Sequence, residues 1–363
     1  MYSLSCDIGG TFTDFALINL KTGEIAVEKS LSVPEDPSIG VRDGVLKLME
    51  KVPGFLCDVQ HIIHGTTIVI NAVIERKGAK TALITTKGFR DILEIRREIR
   101  YDIYDLLADF QKPLVPRYLR KEVDERLNSR GEVVRNLEEA DLHRLFGELL
   151  DEKVESVAVC LLHSYKNPIH EIRIENIAAK HYPQLSISIS SKVLPEIREY
   201  ERTSTTVLNA YVKPLFSRYV KEIKEKLEPL GFRKELFLLF SNGGLVPAKV
   251  GESFPVRSIE SGPVGGVMLA QNIGKLTAGE NQDMLSFDMG GTTAKGCLIK
   301  NGTIPKSKDY EVARMERFKK GSGIPVVTPV IELLEIGAGG GSIARINEMG
   351  LLQVGPQSSG ADP

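Results

Sequence analysis

The sequence predicts an α/β protein of two domains, with mixed sheets flanked by helices. Three observations carry this. Short apolar or alternating runs recur between helical stripes along most of the chain. The segment Asp7-Ile8-Gly9-Gly10-Thr11-Phe12-Thr13-Asp14 returns, altered, as Asp288-Met289-Gly290-Gly291-Thr292-Thr293-Ala294-Lys295. A length of 363 residues with a 42% hydrophobic fraction suffices for two cores.

The elements follow in order. Residues 1–31 read as three short strands, the second turning into the third at Lys21–Glu24. Asp36-Pro37-Ser38 opens a helix whose apolar positions, Ile39 to Met49, form one stripe. His61–Thr67 reads as a buried strand ending in a polar turn, followed by a helix through Arg76 and a strand at Thr81–Thr85. Strand, helix and strand in that order imply a mixed sheet with helices on its faces. Residues 94–135 break the rhythm with a charged run and prolines at 113 and 116, the pattern of an insertion. It is read either as a solvated flap or as a lid or partner surface. Helix and strand then alternate at Leu137–Leu150, Ser156–Leu162, Ile169–His181 and Ser186–Ser190. Glu196–Leu227 is the longest helical pattern, with Pro214 kinking or splitting it and Gly231 capping it. It bridges the two domains, placed at 1–195 and 196–363. Leu236–Phe240 is a strand ending in Ser241-Asn242-Gly243-Gly244, and Ser261–Ile273 a helix rich in small residues.

Composition excludes several classes. A formal charge of -1 gives no global field to recruit nucleic acid or an anionic membrane. No apolar run reaches bilayer length, and no secretory signal opens the chain. The four cysteines are scattered, as small buried hydrophobes in a reducing cytoplasm are.

The duplicated segment carries the chemistry. Each copy follows an apolar run and leads into another, giving a strand, a glycine turn and a returning strand. Glycines bring backbone N–H groups close to phosphate, threonines add hydroxyl donors, and the leading carboxylate holds Mg²⁺, usually through water. Two such turns imply two half-sites on one triphosphate, that of ATP. Gly9, Gly10, Thr11 and Thr13 are assigned to one side; Gly290, Gly291, Thr292 and Thr293 to the other. Asp7 and Asp288 are the metal-side and catalytic carboxylates, with Asp14 a second choice for base or metal work. Gly337, Gly339, Gly340, Gly341 and Ser342 form a glycine run read as a ligand-approach loop for the cofactor, weighed against a plain hairpin turn. His64 is a candidate for proton transfer or carbonyl polarisation, weighed against a structural role, with Thr66 and Thr67 as substrate contacts. Arg198 and Arg202 share a helix face and suit a carboxylate, or pair with Glu199 and Glu201.

The two phosphate segments in this order resemble the actin, sugar kinase and heat-shock chaperone ATPase superfamily, with its ribonuclease H-like domains around a nucleotide cleft. More narrowly, the chain resembles the hydantoinase A / 5-oxoprolinase family. The likeness rests on Asp7–Asp14, His64–Thr67, Thr86–Asp91, Cys160–Tyr165, Glu196–Thr206, Ser241–Leu245, Ser261–Pro263, Phe287–Thr292 and Ile336–Ala344. It implies ATP- and Mg²⁺-dependent opening of a small cyclic amide such as a hydantoin, N-methylhydantoin or 5-oxoproline. It also implies a hetero-oligomer with a second, hydantoinase B-type subunit. Alternatives are a ketone carboxylase subunit that phosphorylates an enol, and an ATP-driven conformational switch. The pattern departs at Lys295, where many members carry an acid mirroring Asp14. Lys295 is read either as a contact to phosphate or substrate, or as a solvated hairpin residue. Few residues follow the second hairpin, so the second domain is expected to be incomplete.

Overall fold

The computed structural model describes every residue except Gly10, Pro34, Glu35, Thr292, Arg317 and 360–363. Strands β1 (Tyr2–Ile8), β2 (Phe12–Asn19) and β3 (Ile25–Leu31) form an antiparallel meander. Helix α1 (Pro37–Lys51) begins at Asp36, whose carboxylate accepts from the Ser38 N–H, and buries Val41, Val45 and Leu48. The short helix α2 (Phe55–Asp58) leads into β4 (Val59–Thr66), which runs parallel to β1. Helix α3 (Ile68–Ile74) then connects to β5 (Thr81–Thr86) and α4 (Ile92–Ile95).

Strands β4 and β5 lie in different sheets, contrary to the single mixed sheet expected for them. Every residue of β5 is buried, as is every residue of β9 (Ser156–Cys160), and the two pair in parallel. Strands covered on both faces associate with each other rather than with the half-open meander. Their sheet also takes β6 (Arg120–Val123), so part of the segment read as an insertion belongs to the core. The proline-flanked approach to β6 disguised a strand whose end residue, Val123, is buried. The hairpin β7 (Arg126–Leu127) and β8 (Val133–Arg135) follows. Helices α5 (Glu139–Asp151) and α6 (Ile169–His181), strand β10 (Ser186–Ile189) and helix α7 (Ser190–Val193) complete this layer.

Helix α8 (Glu199–Leu227) runs unbroken for 29 residues with Pro214 inside it, so the proline does not split it. One stripe, Leu208, Val212, Phe216 and Tyr219, packs into the core of the β1 sheet. Val207 and Ala210 pack into the core of the β5 sheet. Burial on both sides holds the helix across its missing hydrogen bond. Strands β11 (Glu235–Leu239) and β12 (Leu245–Pro247) then return to the first sheet, which runs β12-β11-β4-β1-β2-β3. That sheet is therefore shared across the division at 195/196. After helix α9 (Ala248–Ser253), helix α10 (Ser261–Ala278) leads to β13 (Met284–Met289) and β14 (Ala294–Ile299). A long hairpin, β15 (Lys306–Val312) and β16 (Ile324–Ile331), packs on α8. Strand β17 (Leu334–Ile336) joins β14, and β18 (Ser342–Ile346) pairs with β19 (Leu352–Ser358). Residues 96–112 dock through Arg97–Glu201 and Lys319–Asp102 ion pairs. Among the described residues no helix is long and apolar enough to cross a membrane.

Candidate active site

Antiparallel register places Asp7 opposite Asp14 in the first hairpin, so both carboxylates project from one face. In the second hairpin Asp288 stands opposite Lys295. The turns close alike: the Gly9 N–H donates to the Phe12 carbonyl and the Gly290 N–H to the Thr293 carbonyl, each at 2.9 Å. The two turns are neighbours, since a Cβ built on Gly291 would lie 4.0 Å from Thr11 Oγ1. Gly10 and Thr292 lie outside the described residues.

Asp7 is the focus. Its Oδ1 is buried and has no hydrogen-bond partner. Gly65 and Gly262 form its cradle: a Cβ would come within 2.8 Å of Oδ1 at the first position and 3.4 Å at the second. Burial pushes the Asp7 carboxyl up to about 6, with further repulsion from Asp14 and Asp288 and relief from Lys295. Those contributions also show that the second hairpin's charges reach Asp7. Asp7 Oδ1, buried and unpartnered at the meeting of the two turns, is the kind of donor a nucleotide-borne cation takes, because Mg²⁺ uses one or two carboxylates plus phosphates and water. Among the described residues no group of three His, Cys, Asp or Glu forms a complete protein cage. The unpartnered Asp7 oxygen fits a cation whose remaining ligands are phosphate and water. Asp14 is half-exposed and pairs with Lys29 at 2.9 Å.

Several other candidates turn inward. Thr13 is fully buried, its hydroxyl 3.1 Å from Ser32 Oγ. His64 is buried between β1 and α8, with Nδ1 near Cys6 Sγ (3.0 Å) and the Cys6 carbonyl (3.2 Å), and Nε2 on the Tyr219 hydroxyl. Burial pulls its pKa down to about 4, and it presents no ring nitrogen to a substrate. Thr66 is buried, its backbone N–H and carbonyl both bound to Ser261 Oγ, which pins the start of α10 to the end of β4. Thr67 is half-buried and donates to the Ile8 carbonyl at 3.3 Å. Arg202 is wholly buried, donating to Ser164 Oγ (3.0 Å) and the Leu161 carbonyl (2.9 Å), so it is structural rather than free for a carboxylate. The Gly337–Ser342 run lies against the second hairpin. The N–H groups of Gly340 and Gly341 donate to the carbonyls of Gly290 (2.9 Å) and Gly291 (2.8 Å).

Lys295 is not a solvated hairpin residue. Its ammonium pairs with Glu260 Oε2 at 2.7 Å, both side chains largely buried. The other Glu260 oxygen accepts from the Tyr310 hydroxyl, which burial and this carboxylate hold well above its usual range. Sequence reasoning missed Glu260 and Tyr310. Glu260 stands just before the Ser261-Gly262-Pro263 helix start, where a carboxylate suits the helix terminus, and was legible there. Nothing local marks Tyr310.

The chain matches the family model described as hydantoinase/oxoprolinase N-terminal region over residues 3–182. It matches the model described as hydantoinase/oxoprolinase over residues 202–363. Caprolactamase subunit alpha of Pseudomonas jessenii is 36% identical over all of this chain and 51% of its own length. The crystal structure of that ATP-dependent caprolactamase superposes with a TM-score of 0.85, at 35% identity, over the whole chain and 52% of its own. Nucleotide-free acetone carboxylase superposes at 0.81, with 27% identity over 99% of this chain and 52% of its own. The 5-oxoprolinase of Dictyostelium discoideum is 31% identical over 98% of this chain and 30% of its length. The chain thus spans about half the length of the first two relatives.

Proposed function

The chain belongs to the hydantoinase/oxoprolinase family, and from that premise we propose that it is the ATP-using part of an enzyme that opens a small cyclic amide. The observation that carries the reading is the unpartnered Asp7 carboxylate where two acidic-glycine turns meet. The likeness to an ATP-dependent caprolactamase favours a ring amide.

A lactam resists water because amide resonance protects its carbonyl carbon. Transfer of the γ-phosphoryl group to the carbonyl oxygen, with departure of ADP, removes that resonance. Water then adds to the carbon, the ring C–N bond breaks as nitrogen takes a proton, and a second water releases orthophosphate. In such transfer the protein mainly positions groups and neutralises charge. Asp7 and Asp288 would hold Mg²⁺, which supplies neutralisation of phosphate charge. The turn residues Gly9 to Thr11 and Gly290 to Thr293 would line the phosphates, with the 337–342 run holding the second turn in shape. His64, neutral and buried, would fix β1 rather than touch substrate. Relatives named as subunits support a hetero-oligomer; a hydantoinase B-type partner and a cytoplasmic setting are part of this proposal.

The test is ADP release by the full-length protein in the assembly it forms, with ring amides and ketones added singly. Stimulation by a ring amide is the expected result. Stimulation by ketones alone would favour the carboxylase reading, to which the acetone carboxylase likeness points. Stimulation by a protein partner alone would favour a switch.

A further inference from the structure

A cavity of about 530 Å³ opens beside the second hairpin, with Lys295, Glu260 and Tyr310 on one wall and Ile70 and Ile74 of α3 on another. Its size is that of a small-molecule site. Lys295 ties it to the phosphate end, since it faces Asp288 across the hairpin and its charge reaches Asp7. The cavity thus shares Lys295 with the hairpin that carries Asp288.

The polar wall is specific. The Lys295 ammonium has three donors and gives one to Glu260; each Glu260 oxygen has a partner and a lone pair left over. One donor and one acceptor thus stand side by side. A ring amide presents the matching pair, a carbonyl oxygen and an adjacent N–H. The charge of the walls adds a second condition. Lys295 is matched by Glu260, and Arg314 by Glu311 at 3.2 Å. Asp309, Glu332 and Glu335 also line the cavity; among the described residues none of the three forms a close ion pair, and Glu335 stands opposite Lys295 in the β14–β17 register. The described lining is therefore net acidic within a space narrower than a Debye length, where like charge repels an incoming anion.

We infer that this cavity is the acceptor-substrate compartment, and that it takes a neutral ring amide and rejects one bearing a carboxylate. The inference rests on the ring-amide reading above and narrows it: of the candidates there, hydantoins and plain lactams fit, and 5-oxoproline does not.

The experiment compares matched pairs differing in one carboxylate, 2-pyrrolidinone against 5-oxoproline and butanone against levulinate, by ADP release from the full-length assembly. A kcat/KM ratio of about tenfold or more for the neutral member is expected from the net acidic described lining. A variant carrying Asp309→Asn, Glu332→Gln and Glu335→Gln, all exposed positions, should narrow that ratio severalfold by raising kcat/KM for the anion. Preference for the anionic member, or an unchanged ratio in the variant, overturns the inference. Turnover of the ketone pair alone refutes the ring-amide reading, while its neutral-to-anionic ratio still decides the charge rule. Turnover of neither pair refutes both.

Discussion

In the first hairpin Asp7 faces Asp14; in the second Asp288 faces Lys295. The first sits inside a six-stranded sheet under α1 and α8, with Leu4, Cys6 and Ile8 buried. The second lies in a three-stranded sheet, β13-β14-β17, with Leu285, Phe287 and Met289 exposed. Their supports differ as well. Ser32, just past the third strand, donates its hydroxyl to the Gly9 carbonyl at 2.9 Å. At the corresponding place past β17, backbone N–H groups of the glycine run hold the Gly290 and Gly291 carbonyls. Backbone backs both turns, since the Ser32 N–H also donates to the Thr11 carbonyl at 3.0 Å, but only the first adds a side-chain hydroxyl to that support. A Cβ on Gly339 would sit 2.5 Å from the Gly290 carbonyl oxygen, so only glycine allows the second arrangement. The same turn can therefore be built twice, while the charge facing it and the depth at which it sits are set by its surroundings.

The largest expected asymmetry is in activity. Asp7→Asn should lower ATP turnover roughly 10²–10³-fold, the scale of losing one preorganised charge at a reacting centre. Asp288→Asn, at an exposed position facing a lysine, should lose less. Steady-state ADP release under a Mg²⁺ titration compares them, and equal losses would erase the distinction between the hairpins.

The second difference is in pH. His64, held near 4 in the fold against an ordinary 6.5, contributes stability that is full above 6.5 and lost as pH falls toward 4. Asp7, held near 6 against 3.8, runs the other way: its contribution is full below 3.8 and lost as pH rises through 6. Each amounts to about 3 kcal/mol and the two oppose each other over one window. Chemical denaturation of the chelated protein should then show Asp7→Asn losing stability steeply between pH 6.5 and 4, and His64→Phe gaining it. Parallel profiles in the two variants would contradict the assigned environments.

The smallest contrast lies in the supports. Gly339→Ala forces backbone apart and should cost about 3 kcal/mol. Ser32→Ala removes the hydroxyl's bonds to the Gly9 carbonyl and to Thr13 Oγ1 and should cost about 2 kcal/mol. Urea midpoints of both variants decide the order, and a reversal would mean that the glycine run is not the tighter contact.

Much of this was legible in the chain. The meander, the Asp36 cap, the Ile169–His181 helix and both hairpin turns follow from local pattern, because alternation, helical stripes and glycine turns act over a few residues. The inserted segment was drawn too wide, since β6 is a four-residue strand recognised by its parallel partner β5 rather than by its own alternation. Lys295 was open between two readings because its partner Glu260 lies 35 residues away. His64 looked like a strand-end polar residue, and only Tyr219, 155 residues on, closes its second nitrogen.

By itself the sequence determined the duplicated turns, the residue types that suit phosphate and cation, and the α/β class, because each is written in short-range chemistry. Tertiary structure alone decided that β11 completes the sheet of β1, that Gly65 and Gly262 leave Asp7 unpartnered, and that Lys295 faces a cavity instead of solvent. Burial and electrostatic environment are sums over residues distant in sequence, and they come into being only when the chain closes on itself.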